Sequence, residues 1–183
     1  MITVRELFEA CIEYELTNAR VYASFMIRLG VDDERAAQFW EEMSSEEWDH
    51  YIILNFGRSL CERAGMMSEP ARNVKSETLE KLNALVSQSE ERAAEGGYTL
   101  KEAFQIAIAL ESSEVDYLFL NLIRVIRQAI SRLGEYHLEK RIQEASGDMR
   151  HHLDSLVAAI RRLGNDPELV REARDAFSAA PAR

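Results

Sequence analysis

The chain has 183 residues, 46% of them hydrophobic and 30% charged, with a formal net charge of −10. That length fits one domain able to bury a sizeable core without disulfides, and the excess of carboxylates argues against the phosphate backbone of a nucleic acid or an anionic membrane surface as partner. Cys11 and Cys61 form no C-x-x-C pair, which excludes a four-cysteine iron or zinc module; no window approaches the roughly 18 consecutive apolar residues of a membrane span, and with no basic and apolar leader after Met1 the expected location is the cytoplasm.

Only three prolines occur, and most of the eight glycines fall between long periodic stretches, so the chain reads as all-α with four long helices. The first starts at Thr3, whose hydroxyl can cap while Glu6 reaches back as a capping box. It runs to Gly30 with Phe8, Glu15, Tyr22 and Met26 on its inner stripe. The second begins in the acidic turn Asp32-Asp33-Glu34, favourable at a helix N-terminus, and continues through Trp40, Met43, Glu47, His50 and Leu54 to about Cys61. A long connection over 64–98 follows, with a short amphipathic piece around Leu79 to Val86. A connection of that length can cross a bundle and return the chain to its starting end. The third helix opens with the capping box Thr99 to Glu102, carries Phe104, Ala107, Glu111, Glu114 and Leu118 inward, and stops near Gly134. The fourth runs from about Glu135 to Gly164, with Ile142, Met149, His152 and Leu156 inward. Asp166-Pro167 then reads as cap and first position of a short helix to Phe177. The expected organisation is a bundle over 1–164 and a short C-terminal helix and tail over 165–183. The spacing of Glu15 with Tyr22 echoes Glu111 with Leu118, and His50 with Leu54 echoes His152 with Leu156, which suggests duplication of a helical hairpin.

The chemistry lies in what occupies the apolar seams. Acidic side chains are almost never buried unless paired or metal-bound. Glu15, Glu47, His50, Glu111 and His152 nevertheless fall on inner stripes at matching depth, which points to a carboxylate-rich site for iron or manganese in pairs. The Glu47-x-x-His50 spacing places carboxylate and imidazole within one turn on one face, so both can bind one metal while the second carboxylate oxygen bridges to another. On the fourth helix, a wheel at about 100° per residue puts His152 inward, Asp148 on the flank and His151 outside. Three residues before His152, where a bridging carboxylate would be needed, stands Met149, a poor ligand for hard iron. Either Asp148 leans in beside Gly147, or the second metal position has lost a ligand.

Across roughly Thr3 to Gly164, these residues resemble the rubrerythrin branch of the ferritin-like superfamily. That family's first helix supplies one glutamate, matched by Glu15; its second supplies E-x-x-H, matched by Glu47 and His50; its third supplies E-x-x-E, matched by Glu111 and Glu114. The resemblance implies a ferritin-like four-helix bundle with a long crossover between helices 2 and 3. It also implies a non-haem di-iron centre that reacts with peroxide or dioxygen, here without a rubredoxin domain. Zinc or manganese is the alternative metal. Glu111, Glu47, His152 and Asp148 would form one half of the centre, and Glu15, Glu47, His50, Glu111 and Glu114 the other. Two residues are assigned catalytic parts: Glu114, which can offer an alternative carboxylate when the metal changes oxidation state, and Tyr22, two turns along the face from Glu15, which can relay electrons or donate a hydrogen bond to bound peroxide. The other tyrosines read as core. The implied activity is peroxide reduction with an external electron-transfer protein, in a homodimer or larger homo-oligomer. Ferritin-like iron oxidation is a second reading, and a degenerate bundle with a partial metal site and a structural or interaction role is a third.

Overall fold

The computed structural model describes residues 1–113 and 115–179 and, within them, all side chains except those of 115, 116, 144–151, 153 and 179. The described chain is all-α: α1 Val4–Leu29, α2 Glu34–Arg63, α3 Ser76–Glu95, α4 Leu100–Glu111, α5 Val115–Leu133, α6 Glu139–Ala159 and α7 Pro167–Ala179. A 3₁₀ turn, Tyr136–Leu138, leads into α6, and a π-helical stretch, Ile160–Gly164, ends it. Among the described residues no helix is long and apolar enough to cross a membrane.

Side-chain caps start α1, α2, α4 and α7. Thr3 Oγ1 accepts from Glu6 N at 3.3 Å while Glu6 Oε2 accepts from Thr3 N at 2.7 Å, and Thr99 and Glu102 repeat the arrangement at the start of α4. Each box satisfies two backbone donors that would otherwise be orphaned. Asp33 caps α2 through Arg35 N at 2.9 Å, and Asp166 caps α7 through Glu168 N and Leu169 N.

The helix directions follow from the contacts at each end. Val4 N donates to Glu69 O and Ala71 N to Ile2 O, so the start of α1 meets the segment leaving α2, and the two helices are antiparallel. Phe104 packs on Trp40 near the start of α2, and Arg63 reaches Glu135 at 2.9 Å near its end, so α4 and α5 run parallel to α2. Lys101 bonds Asp166 at 2.7 Å, which brings the end of α6 back beside the start of α4. Parallel α2 and α4 require the intervening chain to travel the length of the bundle. It does so as α3, laid alongside α1: Tyr14 Oη donates to Leu79 O at 3.2 Å, and Ser24 Oγ to Ala93 O at 3.2 Å.

Two expectations are corrected here. The amphipathic piece at Leu79 to Val86 is part of a 20-residue helix. Its buried seam, Leu82, Val86, Ser89 and Ala93, ends in small residues, which a search for large apolar side chains undervalues but which let helices approach closely. The third helix is not continuous: α4 ends at Glu111, and α5 begins at Val115. Ser113 Oγ and Ser113 N both bond Leu110 O, at 2.6 and 3.1 Å. A serine side chain that bonds a backbone carbonyl in this way competes with the helical ladder, and α4 stops beside it.

The core is aromatic at the end where α1 stops. Trp40 stacks on Tyr22 at 5.8 Å and meets Phe25, Phe39 and Phe104 edge-on or tilted at 4.7–5.3 Å between ring centroids. Such pairs contribute about 0.5–1.5 kcal/mol each beyond area burial. Towards the other end, Gly57 lets α2 and α5 close together, since a β-carbon there would collide with Ile126. α7 packs against α4 and α6, covering the bundle with Leu169 and Ala173.

Candidate metal centre

Four helices each deliver a polar side chain to one depth of this apolar interior. α1 brings Glu15, α2 brings Glu47 and His50, the last residue of α4 is Glu111, and α6 brings His152. All are buried, at 1–5% exposure. Each lies where helical periodicity puts an inward position, between large apolar neighbours such as Cys11 before Glu15 and Leu54 after His50. Phe119 packs against the His50 ring, with centroids 5.0 Å apart and planes tilted by 54°.

The side chains form two linked halves. In one, His50 Nδ1 lies 3.4 Å from Glu15 Oε2 and 3.5 Å from Glu47 Oε2. In the other, His152 Nδ1 lies 3.2 Å from Glu111 Oε2 and 3.6 Å from Glu47 Oε1. Glu47 therefore turns one oxygen to each histidine, and the two rings stand 5.1 Å apart. Two ligand atoms about 2.1 Å from one ion and 90–110° apart lie roughly 3.0–3.4 Å from each other. The spacings in both halves are close to this. Among the described residues, one ligand atom from each of Glu47, His50 and His152 lies within 4.8 Å of the others.

Hydrogen bonding leaves capacity for a metal. Glu15 Oε1, His50 Nδ1 and His152 Nε2 are buried without a hydrogen-bond partner, and unpaired buried polar atoms of this kind are costly. Carboxylate oxygens with imidazole nitrogens form a donor set suited to iron, manganese or zinc. The residues present thus fit a metal on geometry and on chemistry.

Charge within the cluster is redistributed. Burial, together with the carboxylate of Glu15, pushes Glu47 up to about 7. Burial pulls the His50 imidazole down, but Glu15 and Glu47 outweigh it and hold the ring up at about 10. For His152 the same contest is won by Glu111, Glu46 and Glu47, which raise it to about 12. Tyr22 Oη donates to Glu111 Oε1 at 2.6 Å, and burial beside that carboxylate pushes the phenol well above its ordinary value. Tyr22 thus remains a proton donor at neutral pH and fixes one Glu111 oxygen, leaving the other toward His152.

Of the residues singled out from the sequence, Glu15, Tyr22, Glu47, His50, Glu111 and His152 are brought together. Glu114 and Asp148, with Met149, lie outside the residues whose side chains are described, and α4 ends before Glu114 is reached. One contributor was missed: half-exposed Glu46, whose Oε2 lies 3.0 Å from His152 Nε2, although out of line for a hydrogen bond. Its only sequence signal was a place beside Glu47 on the flank facing α6. No protein-family model matches the chain, and neither curated proteins nor solved structures give a match.

Proposed function

We propose that this chain is a ferritin-like bundle of the rubrerythrin type, holding two iron ions and reducing hydrogen peroxide with electrons from an external donor. The observation that carries the reading is Glu47, with one oxygen toward His50 and the other toward His152, as a bridging carboxylate requires. The single crossover formed by α3 supports the ferritin-like part. Glu15, Glu47 and His50 would hold one ion, and Glu111, Glu47 and His152 the other; the proposal extends the set to Glu114 and Asp148. Bound iron would supply two electrons and Lewis acidity toward peroxide oxygens, with overall conversion of peroxide, two protons and two electrons to two waters. The protein's own part is to exclude water with Phe119 and the aromatic end of the core, to keep both imidazoles oriented, and to hold a proton at Tyr22 Oη. The two cysteines of this sequence cannot form a four-cysteine iron site, and on this reading the donor is an external redox protein and the assembly a homodimer.

The test is iron stoichiometry followed by turnover. Protein loaded without oxygen should hold about two ferrous ions per chain, oxidise rapidly with one charge of peroxide, and then stop until a reductant is added. Oxidation no faster than that of free ferrous iron would reject peroxide reduction. A second reading rests on the compact Glu47, His50 and His152 triad, which could hold a single structural ion. One tightly held, redox-silent ion per chain would favour it.

Glu46 offers a milder check. Carboxylates that hold the outer nitrogen of a metal-bound histidine typically contribute 10–100-fold to affinity. Glu46→Ala should weaken iron retention in a chelator competition by about that factor while leaving helical content intact. Unchanged retention would show that Glu46 does not orient His152.

A further inference from the structure

The segment leaving α2 is strapped across the start of α1. Met67 O and Glu69 O accept from Arg5 N and Val4 N at 3.1 and 2.9 Å, and Ala71 N donates to Ile2 O at 2.8 Å. Asn73, in the left-handed region at φ 63°, then turns the chain away toward α3. Between this strap, the first turn of α1 and the second half of α5 lies a cavity of about 270 Å³. Its floor is apolar, with Val4, Leu7 and Met66 buried beneath and Pro70 and Val125 accessible from the cavity.

The charge in this cavity runs against the rest of the molecule. Arg72, Arg124 and Arg132 line it with a single carboxylate, Glu69, in a chain whose net charge is −10. Arg132 is committed to Glu69 at 2.6 Å. Among the described residues, the one hydrogen-bond or ion-pair partner of Arg124 is the neutral Asn121 Oδ1, at 3.4 Å, and Arg72 has none. Two guanidinium groups are thus uncompensated at a concave, partly apolar site, where a like-signed field is focused. Planar guanidinium donors match carboxylates bidentately. With a volume of about 270 Å³, the cavity has room for a short-chain dicarboxylate.

The geometry points to a binding site for a small dicarboxylate at this cavity, with Arg72 and Arg124 taking the carboxylates and the accessible Pro70 and Val125 surface taking the methylene body. A phosphate ion would use the same guanidinium groups but would leave the apolar surface wet. The site shares no residue with the metal cluster, so it stands whether or not the chain binds iron.

Succinate and, separately, inorganic phosphate should be titrated into metal-free full-length protein by calorimetry, with heat unfolding as the second readout. Saturable binding of one succinate per chain and a raised Tm are expected, both weakening as salt is increased. Arg72→Ala and Arg124→Ala, at exposed positions, should each weaken binding at least about tenfold. Arg127→Ala, exposed on α5 but outside the cavity lining, should leave it unchanged. Absence of saturable succinate binding, or parent-like binding in Arg72→Ala and Arg124→Ala, would overturn the site. Phosphate binding as tight as succinate binding would overturn its assignment to dicarboxylates.

Discussion

Glu47→Ala should empty both positions of the proposed two-iron centre at once, lowering iron from about two ions per chain to well below one after desalting, because both positions would share that carboxylate. His50→Ala removes a ligand from one half only and should retain an intermediate amount. The loss should not be a folding defect. Burial and Glu15 raise Glu47 to about 7 in the folded chain, above its ordinary value. By linkage, a carboxylate raised on folding disfavours the native state as pH climbs from its unfolded value through about 7, and that penalty persists above it. Removing the group in the metal-free protein at pH 8 lifts the penalty, though it also withdraws a partner from each histidine. Circular dichroism and Tm of metal-free Glu47→Ala should accordingly stay near those of the parent while metal analysis collapses. Glu47→Gln, which keeps the shape and drops the charge, should behave alike. Parent-level iron in both variants would remove the bridging role.

Metal uptake at neutral pH should release about two to three protons per chain, making the affinity steeply pH-dependent. In the metal-free cluster His50 titrates near 10 and His152 near 12, both held protonated by facing carboxylates, while Glu47 is about half protonated near pH 7. A metal binds neutral imidazole and ionised carboxylate, so these protons must leave. Below about pH 9, each unit rise should strengthen the combined binding of two ions by roughly 100-fold or more. Calorimetry with Mn²⁺ in two buffers of different ionisation enthalpy measures the release directly; fewer than one proton would mean that the histidines do not enter the coordination. The same shifts govern the metal-free fold with the sign expected for raised bases. The histidine contribution is fully present below about pH 6.5 and is lost as pH rises through 10 and 12. Metal should therefore raise Tm most at alkaline pH, where the unoccupied cluster has lost its internal ion pairs.

The positions of the candidate ligands were legible because helical periodicity is local. With 3.6 residues per turn, Glu15, Glu47, His50 and His152 could be assigned to inner stripes from their apolar neighbours alone, and the capping boxes at Thr3 and Thr99 placed two helix starts. The length of 64–98 also anticipated a crossover, since a short link would have forced antiparallel neighbours. What periodicity overrode was the break after Glu111. The apolar pattern from Phe104 through Leu118 suggested one helix, while the bond of the Ser113 hydroxyl to Leu110 O was a single-turn effect hidden beneath it.

Residues within a few turns of one another make the chain helical and turn Glu15, Glu47, His50, Glu111 and His152 inward, and that much could be read along the sequence alone. Packing between distant segments makes α3 a full helix docked on α1, divides the two oxygens of Glu47 between His50 and His152, sets Glu46 beside His152 and Tyr22 on Glu111, and brings Arg72 and Arg124 to the lining of one cavity. Those outcomes depend on distances between helices far apart in sequence, and such distances are set by how side chains of particular volume interlock rather than by any repeat along the chain.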